Sequence, residues 1–155
     1  MRTYLIASVA ILFSALAARA AEQSTLRKPP IGVPSDTTYF NGKWYRIYLD
    51  QAAWPQARHK CKTLGGQLAI VPDEPTHLFI RELVDNRILW LGGFKKTDGL
   101  WAWVDGSPFK FKGWVSGEPN EGPGFKAIAT WNGGWGDNEP KDRRVVGYVC
   151  EWKDK

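Results

Sequence analysis

Glu118-Pro119-Asn120 sets a carboxylate and a carboxamide on either side of a proline, and Asp137 adds a second carboxylate further along the chain. Proline fixes its own backbone φ, so the two flanking side chains can be aimed at one point. Such oxygens are hard ligands of the kind calcium takes, in sets of six to eight at about 2.3–2.6 Å. The context is Gly113-Trp114-Val115-Ser116-Gly117 before the motif and Trp131-Asn132-Gly133-Gly134-Trp135-Gly136 before Asp137. Tryptophan and glycine interrupted by proline fit a folded loop held open for a ligand better than a helix or a plain strand. Other chemistry has less to stand on. His59 and His77 lie on predicted helices, far in sequence from any Ser or Cys nucleophile, and there is no G-x-S-x-G or H-E-x-x-H motif. Asp73-Glu74 suits a helix cap better than an acid–base pair. No glycine-rich phosphate loop is present, so an enzyme is not expected.

The loop needs a scaffold, and the preceding chain supplies one. Tyr39 to Tyr48 places aromatic and β-branched residues on both sides of Asn41-Gly42, a dipeptide that favours a hairpin turn with positive φ at both positions. Trp54-Pro55 opens a helix, with Trp54, Ala57, Cys61 and Leu64 on one face and Gly65-Gly66 as its stop. Asp73 caps a second helix whose apolar face holds Leu78, Phe79, Leu83 and Val84. Ile88 to Gly93 has the composition of a buried strand, Trp101 to Val104 of a short one, and Val145 to Trp152 is the clearest strand of all. Strand, helix, helix, then many short strands with a long loop is an α+β arrangement with an antiparallel sheet.

Arg2, the apolar run Leu5 to Ala18 and Ala18-Arg19-Ala20 have the form of an export signal over residues 1–20, cleaved after Ala20 or Ala21. The run is shorter than the roughly 20 residues a spanning helix needs. The mature chain is therefore expected outside the cytoplasm, secreted or periplasmic, without stable membrane insertion. Residues 21–38, with Pro29, Pro30 and Pro34, have the character of an extended linker, and 39–155 form one domain. Removing Arg2 and Arg19 with the leader lowers the formal charge from +5 to +3, and the basic residues are scattered, so nucleic acid is not an expected partner. Cys61 and Cys150, far apart in an exported chain, make a disulfide the default. A cysteine metal site is the rival, but it lacks a C-x-x-C motif or a nearby His pair.

Taken in order, Trp54-x-x-Ala-x-x-x-Cys-x-x-Leu-Gly-Gly66, Leu68 to Val71, Trp90-Leu-Gly92, Trp101-x-Trp103, Gly117-Glu-Pro-Asn120, Gly133-x-Trp-x-Asp137 and Tyr148-x-Cys-Glu151 resemble the C-type lectin-like domain family. The resemblance runs from about Tyr39 to Trp152. It implies a C-type lectin-like fold: two helices flanking short antiparallel sheets, a long ligand-binding loop, and a cis peptide before Pro119. It also implies a carbohydrate-binding module, with glycans or cell-surface glycoconjugates as partners and calcium as cofactor. Glu118, Asn120 and Asp137 would then hold both metal and sugar hydroxyls, and Trp131 would stand beside them as a stacking wall. Glu-Pro-Asn is similar to the motif that goes with mannose-, fucose- or glucose-type sugars.

This chain also departs from the family pattern. Trp-Asn-Asp is Trp135-Gly136-Asp137 here, so one oxygen ligand is lost. Gly124-Phe125-Lys126-Ala127 contains no acid where the family places one, which leaves Glu121 to bend in, while Asn138 would replace the Asn lost at Gly136 by a register shift. Lys95 and Lys96 in the loop after β-strand residues 88–93 argue against an accessory calcium site, and the family's inner disulfide is absent. The alternative expectation is a calcium-independent protein-interaction domain on the same fold, with a protein ligand as partner.

Overall fold

The structure is a computed structural model and describes residues 27–154. The export signal expected over residues 1–20, and the start of the linker, lie outside the described residues. In the described part of the stretch expected as a linker, Val33 packs against the core and donates its N–H to the Pro30 carbonyl (3.0 Å), Arg27 pairs with Asp154 at 2.5 Å, and Thr38 already belongs to the first strand.

The chain then gives β1 (Thr38–Phe40), β2 (Lys43–Tyr48), α1 (Trp54–Thr63), β3 (Gln67–Leu68) and α2 (Glu74–Val84). It continues with β4 (Leu89–Lys95), β5 (Trp101–Trp103), β6 (Ala127–Trp131), β7 (Gly134–Asn138) and β8 (Gly147–Lys153). The strands form one sheet in the order β1-β2-β8-β4-β6-β7, with β3 also paired to β8 and β5 to β4. All pairs are antiparallel except β4 with β8, which run parallel through Leu89↔Gly147 and Trp90↔Tyr148. The long excursion after β4 returns the chain to the same edge in the same direction, which a hairpin cannot do.

Local chemistry accounts for these elements. Asn41 (φ 46°) and Gly42 (φ 80°) both have the positive φ expected of the hairpin turn. In α1, Gln56 accepts the Ala53 N–H, and Gly65 at φ 76° ends the helix. Trp54, Ala57 and Cys61 are buried as their spacing requires. Leu64 is not. It is the C-cap residue and 39% exposed, while its carbonyl accepts the Trp152 indole N–H at 2.9 Å. In α2 the Asp73 carboxylate accepts the Thr76 N–H at 2.8 Å, and the buried stripe is Thr76, Ile80 and Val84. Phe79 and Leu83 only flank that stripe, because Phe79 is turned to stack on Phe40 at 4.4 Å.

Two apolar clusters hold the layers together. One packs α1 on the sheet through Trp54, Cys61, Trp90 and Trp152, and the Cys61–Cys150 disulfide joins α1 to β8 within it. The other packs α2 and the long loop through Ile80, Trp103, Ile128 and Trp135. Trp135 sits edge-on to Trp103, Trp114, Phe111 and His77, with ring centroids 5.6–5.8 Å apart. This aromatic knot anchors the start of the long loop.

Candidate functional site

Residues 113–115 lie against β7. Trp135 donates its N–H to the Gly113 carbonyl (2.8 Å), and Val115 donates to the Trp135 carbonyl (3.0 Å). Glu118 in turn donates its N–H to Val115 (3.0 Å), which closes a turn and delivers Glu118-Pro119-Asn120 beside Asp137. The Glu118–Pro119 peptide bond is cis.

Glu118, Asn120 and Asp137 therefore meet. The Asn120 carboxamide donates to Glu118 Oε1 at 2.9 Å, and the Asp137 backbone N–H donates to Glu118 Oε2 at 3.0 Å. Asp137 accepts the backbone N–H groups of Asn120 (2.7 Å) and Glu121 (3.2 Å). Asp137 is buried, Glu118 is half-buried and Asn120 is exposed, so the cluster runs from the sheet edge out to solvent. Burial, with the neighbouring Asp137 carboxylate, pushes the Glu118 carboxyl above its ordinary value.

The other expected contributors are placed elsewhere. A Cβ built on Gly136 would lie 3.6 Å from the Glu118 carboxylate, so the position faces the cluster and brings no oxygen to it. Asn138 is buried, and its amide donates to the Gly136 carbonyl at 2.9 Å. Glu121 turns away, accepting from Lys95 (3.1 Å) and the Trp101 indole (3.4 Å). Lys126 is buried and pairs with Glu139 at 2.6 Å. In the loop after β4, Lys96 pairs with Asp98 at 2.7 Å and holds its carboxyl below the ordinary value.

Trp131 ends β6, half-buried, and Arg144 lies over its ring at 4.8 Å. Arg144 is fixed by Asp142, which accepts from its Nε and terminal nitrogen, and the charge of Glu118 also acts on it. Sequence reasoning missed this residue. Arg143-Arg144 was visible, but nothing in the chain order ties it to Trp131. His77 is half-buried against Phe111 and Trp135, and burial, with the charge of Arg81, lowers it below its ordinary value.

The described residues contain no group of three or more His, Cys, Asp or Glu placed to hold a metal. The donor set at Glu118, Asn120 and Asp137 consists of oxygens only. That suits a hard cation, but it fills a fraction of the six to eight positions calcium takes.

The sequence model of the family described as "Lectin C-type domain" matches residues 50–152. The chain is 36% identical over 112 residues to "C-type lectin domain family 4 member M" of Hylobates lar, which covers 68% of this chain and 28% of that one. It is 33% identical over 110 residues to "Ladderlectin" of Oncorhynchus mykiss, covering 67% and 57%. The matched stretch is thus under two thirds of either relative. Among solved structures, the carbohydrate-recognition domain of cow CD23, in the presence of a GlcNAc2Man3 oligosaccharide, superposes with a TM-score of 0.73 at 26% identity. That match covers 79% of this chain and 96% of the CD23 domain.

Proposed function

Because the chain belongs to the C-type lectin domain family, we propose that it is an exported, non-catalytic carbohydrate-binding module, secreted or periplasmic. The observation that carries this reading is the convergence of Glu118, Asn120 and Asp137 at a solvent-facing loop edge. Carboxylate acceptors stand next to a carboxamide that both donates and accepts. Adjacent sugar hydroxyls, each a donor and an acceptor, meet that alternation directly. The order Glu-Pro-Asn favours mannose-, fucose- or glucose-type units. Trp131, at the hairpin end of β6 with Arg144 over its ring, is the proposed stacking wall. No helix among the described residues is long and apolar enough to cross a membrane.

Glu118, Asn120 and Asp137 are the residues that would hold calcium, and the ion would supply electrostatic attraction for the sugar hydroxyl oxygens. With Gly136 contributing no side chain, water and sugar must complete the shell. Affinity then falls at the weak end, about 10⁻⁴–10⁻³ M, where low ligand count puts extracellular sites. Calcium at about ten times a millimolar Kd stabilises the folded state by roughly 1.4 kcal/mol through mass action. Tm should therefore rise by a few degrees in 10 mM calcium, and Glu118→Ala should abolish the rise.

A specific observation favours a second reading, a calcium-independent protein-interaction domain. All four carboxylate oxygens of Glu118 and Asp137 already accept hydrogen bonds, three from backbone N–H groups and one from the Asn120 carboxamide, so the loop is closed on itself. The ammonium of Lys95 holds Glu121 away from the site. No Tm shift in wild-type protein at 10 mM calcium would sink the metal-dependent reading and leave this one.

A further inference from the structure

Lys95 closes β4, and Trp101 opens β5 directly opposite it in the register. Directly opposed residues project from the same face of a sheet, and here both reach one carboxylate. The Lys95 ammonium donates to Glu121 Oε2 at 3.1 Å, and the Trp101 indole donates to Oε1 at 3.4 Å. Both donors are themselves fixed. The Lys95 side chain is 18% exposed, and its backbone N–H donates to the Lys126 carbonyl at 2.9 Å. The Trp101 ring stands edge-on to Trp114 at 4.8 Å. Lys95 therefore ties the loop to the sheet at two points, Glu121 and Lys126.

Glu121 is joined to the Glu118 site as well. Its backbone N–H donates to Asp137 Oδ2 at 3.2 Å, beside that of Asn120, which donates to Oδ1 at 2.7 Å. Its φ is 51°, a left-handed conformation uncommon outside glycine. Such a conformation persists where the surroundings over-determine it. Here Asp137 holds the backbone, while Lys95 and Trp101 hold the side chain. The bond from Lys95, and then that from Trp101, keeps the Glu121 carboxyl below its ordinary value against repulsion from Asp137. Among the described residues, no other ammonium or guanidinium pairs with Glu118, Glu121 or Asp137.

We propose that Lys95 is a positioning residue for the ligand loop: its ammonium is a built-in cation that ties Glu121 to the sheet and so keeps Glu118, Asn120 and Asp137 together. The consequence for sugar binding rests on the carbohydrate-binding reading, and the test separates the two. Hydrogen exchange of the backbone amides of residues 117–126 reports the loop itself, without any glycan. Full-length mature protein is measured in chelator as wild type, Lys95→Gln, Lys95→Arg, Lys95→Glu and the charge swap Lys95→Glu/Glu121→Lys. Tm is recorded to show that each is folded. Lys95→Gln should speed loop exchange about three- to fivefold, the scale of a partly exposed ion pair, and leave the β8 amides unchanged. Lys95→Arg should match wild type, and the charge swap should return to within about twofold of it. Lys95→Glu should exchange fastest, and calcium at about 10 mM should slow it again, because two facing carboxylates can share a divalent ion. Affinity for a mannose-type oligosaccharide should fall as loop exchange rises. Unchanged loop exchange in Lys95→Gln, equal acceleration in the loop and β8, or a charge swap as fast as Lys95→Gln overturns the proposal. Faster loop exchange with undiminished oligosaccharide affinity overturns the positioning of the site by Lys95. Absence of oligosaccharide binding by wild type overturns the carbohydrate-binding reading, and the exchange results then still decide whether Lys95 holds the loop.

Discussion

Replacing Cys150 with Ser is expected to lower stability by about 2–5 kcal/mol, the usual loss when a small exported domain is deprived of a native disulfide. Both cysteines are fully buried and their Cα atoms are 5.5 Å apart, across a sequence separation of 89 residues. Closing a loop of that size removes about 4–5 kcal/mol of unfolded-chain entropy in the simplest model. The bond joins α1 to β8, the strand that pairs with β2, β3 and β4. Loss should therefore be felt across the sheet rather than at one end. Cys61→Ser should cost a similar amount, and the double variant little more than either single one, because each removes the same bond. Denaturant unfolding of the three variants checks this. A loss below about 1 kcal/mol, or fully additive losses, would contradict it.

Glu151→Ala is the second substitution with a large expected effect. Its carboxylate is 2% exposed and accepts from Lys43 (2.7 Å), Gln67 (2.9 Å) and the backbone N–H of Ile70 (3.2 Å). It thereby ties β2, β3 and the segment after β3 to β8. Removing it strands the Lys43 ammonium, 19% exposed, and a buried N–H. Breaking a buried pair from one side costs about 3–5 kcal/mol. Glu151→Gln keeps an acceptor and should cost less. Burial raises the Glu151 carboxyl above its ordinary value of 4.5, while Lys43 pulls the other way. An acid raised on folding binds its proton more tightly in the folded state. Its contribution to stability is then full below the unfolded value and is lost as pH rises through the folded one. Wild type measured against Glu151→Gln across that range should show this decline. A flat difference would contradict it.

Much of this scaffold was legible in the chain. Asn41-Gly42, Gly65 and Asp73 act locally, through positive φ and a side-chain cap, so their effects could be read without knowing the fold. Cys61 and Cys150 declared a long-range tie because few residues do that chemistry. The parallel pairing of β4 with β8 could not be read, since it depends on where the long loop returns. Leu64 was misplaced because helical spacing says nothing of where the helix stops facing the core. At the site, Glu118, Asn120 and Asp137 were found by residue type. What they bond to was not, because three of the four donors are backbone N–H groups, brought there as Gly113 to Val115 lie along β7. Arg144 on Trp131 is likewise a contact between residues that the sequence gives no reason to pair.

Glu118-Pro119-Asn120 and Asp137 are proposed to form a sugar-binding edge. The most direct test is a glycan array probed with wild-type protein and Glu118→Ala, each with calcium and with chelator. Wild type should bind mannose-, fucose- or glucose-type glycans, with binding weakened by chelator and lost in Glu118→Ala. Glycan binding that persists undiminished in Glu118→Ala, or no glycan binding by folded wild-type protein, would contradict it.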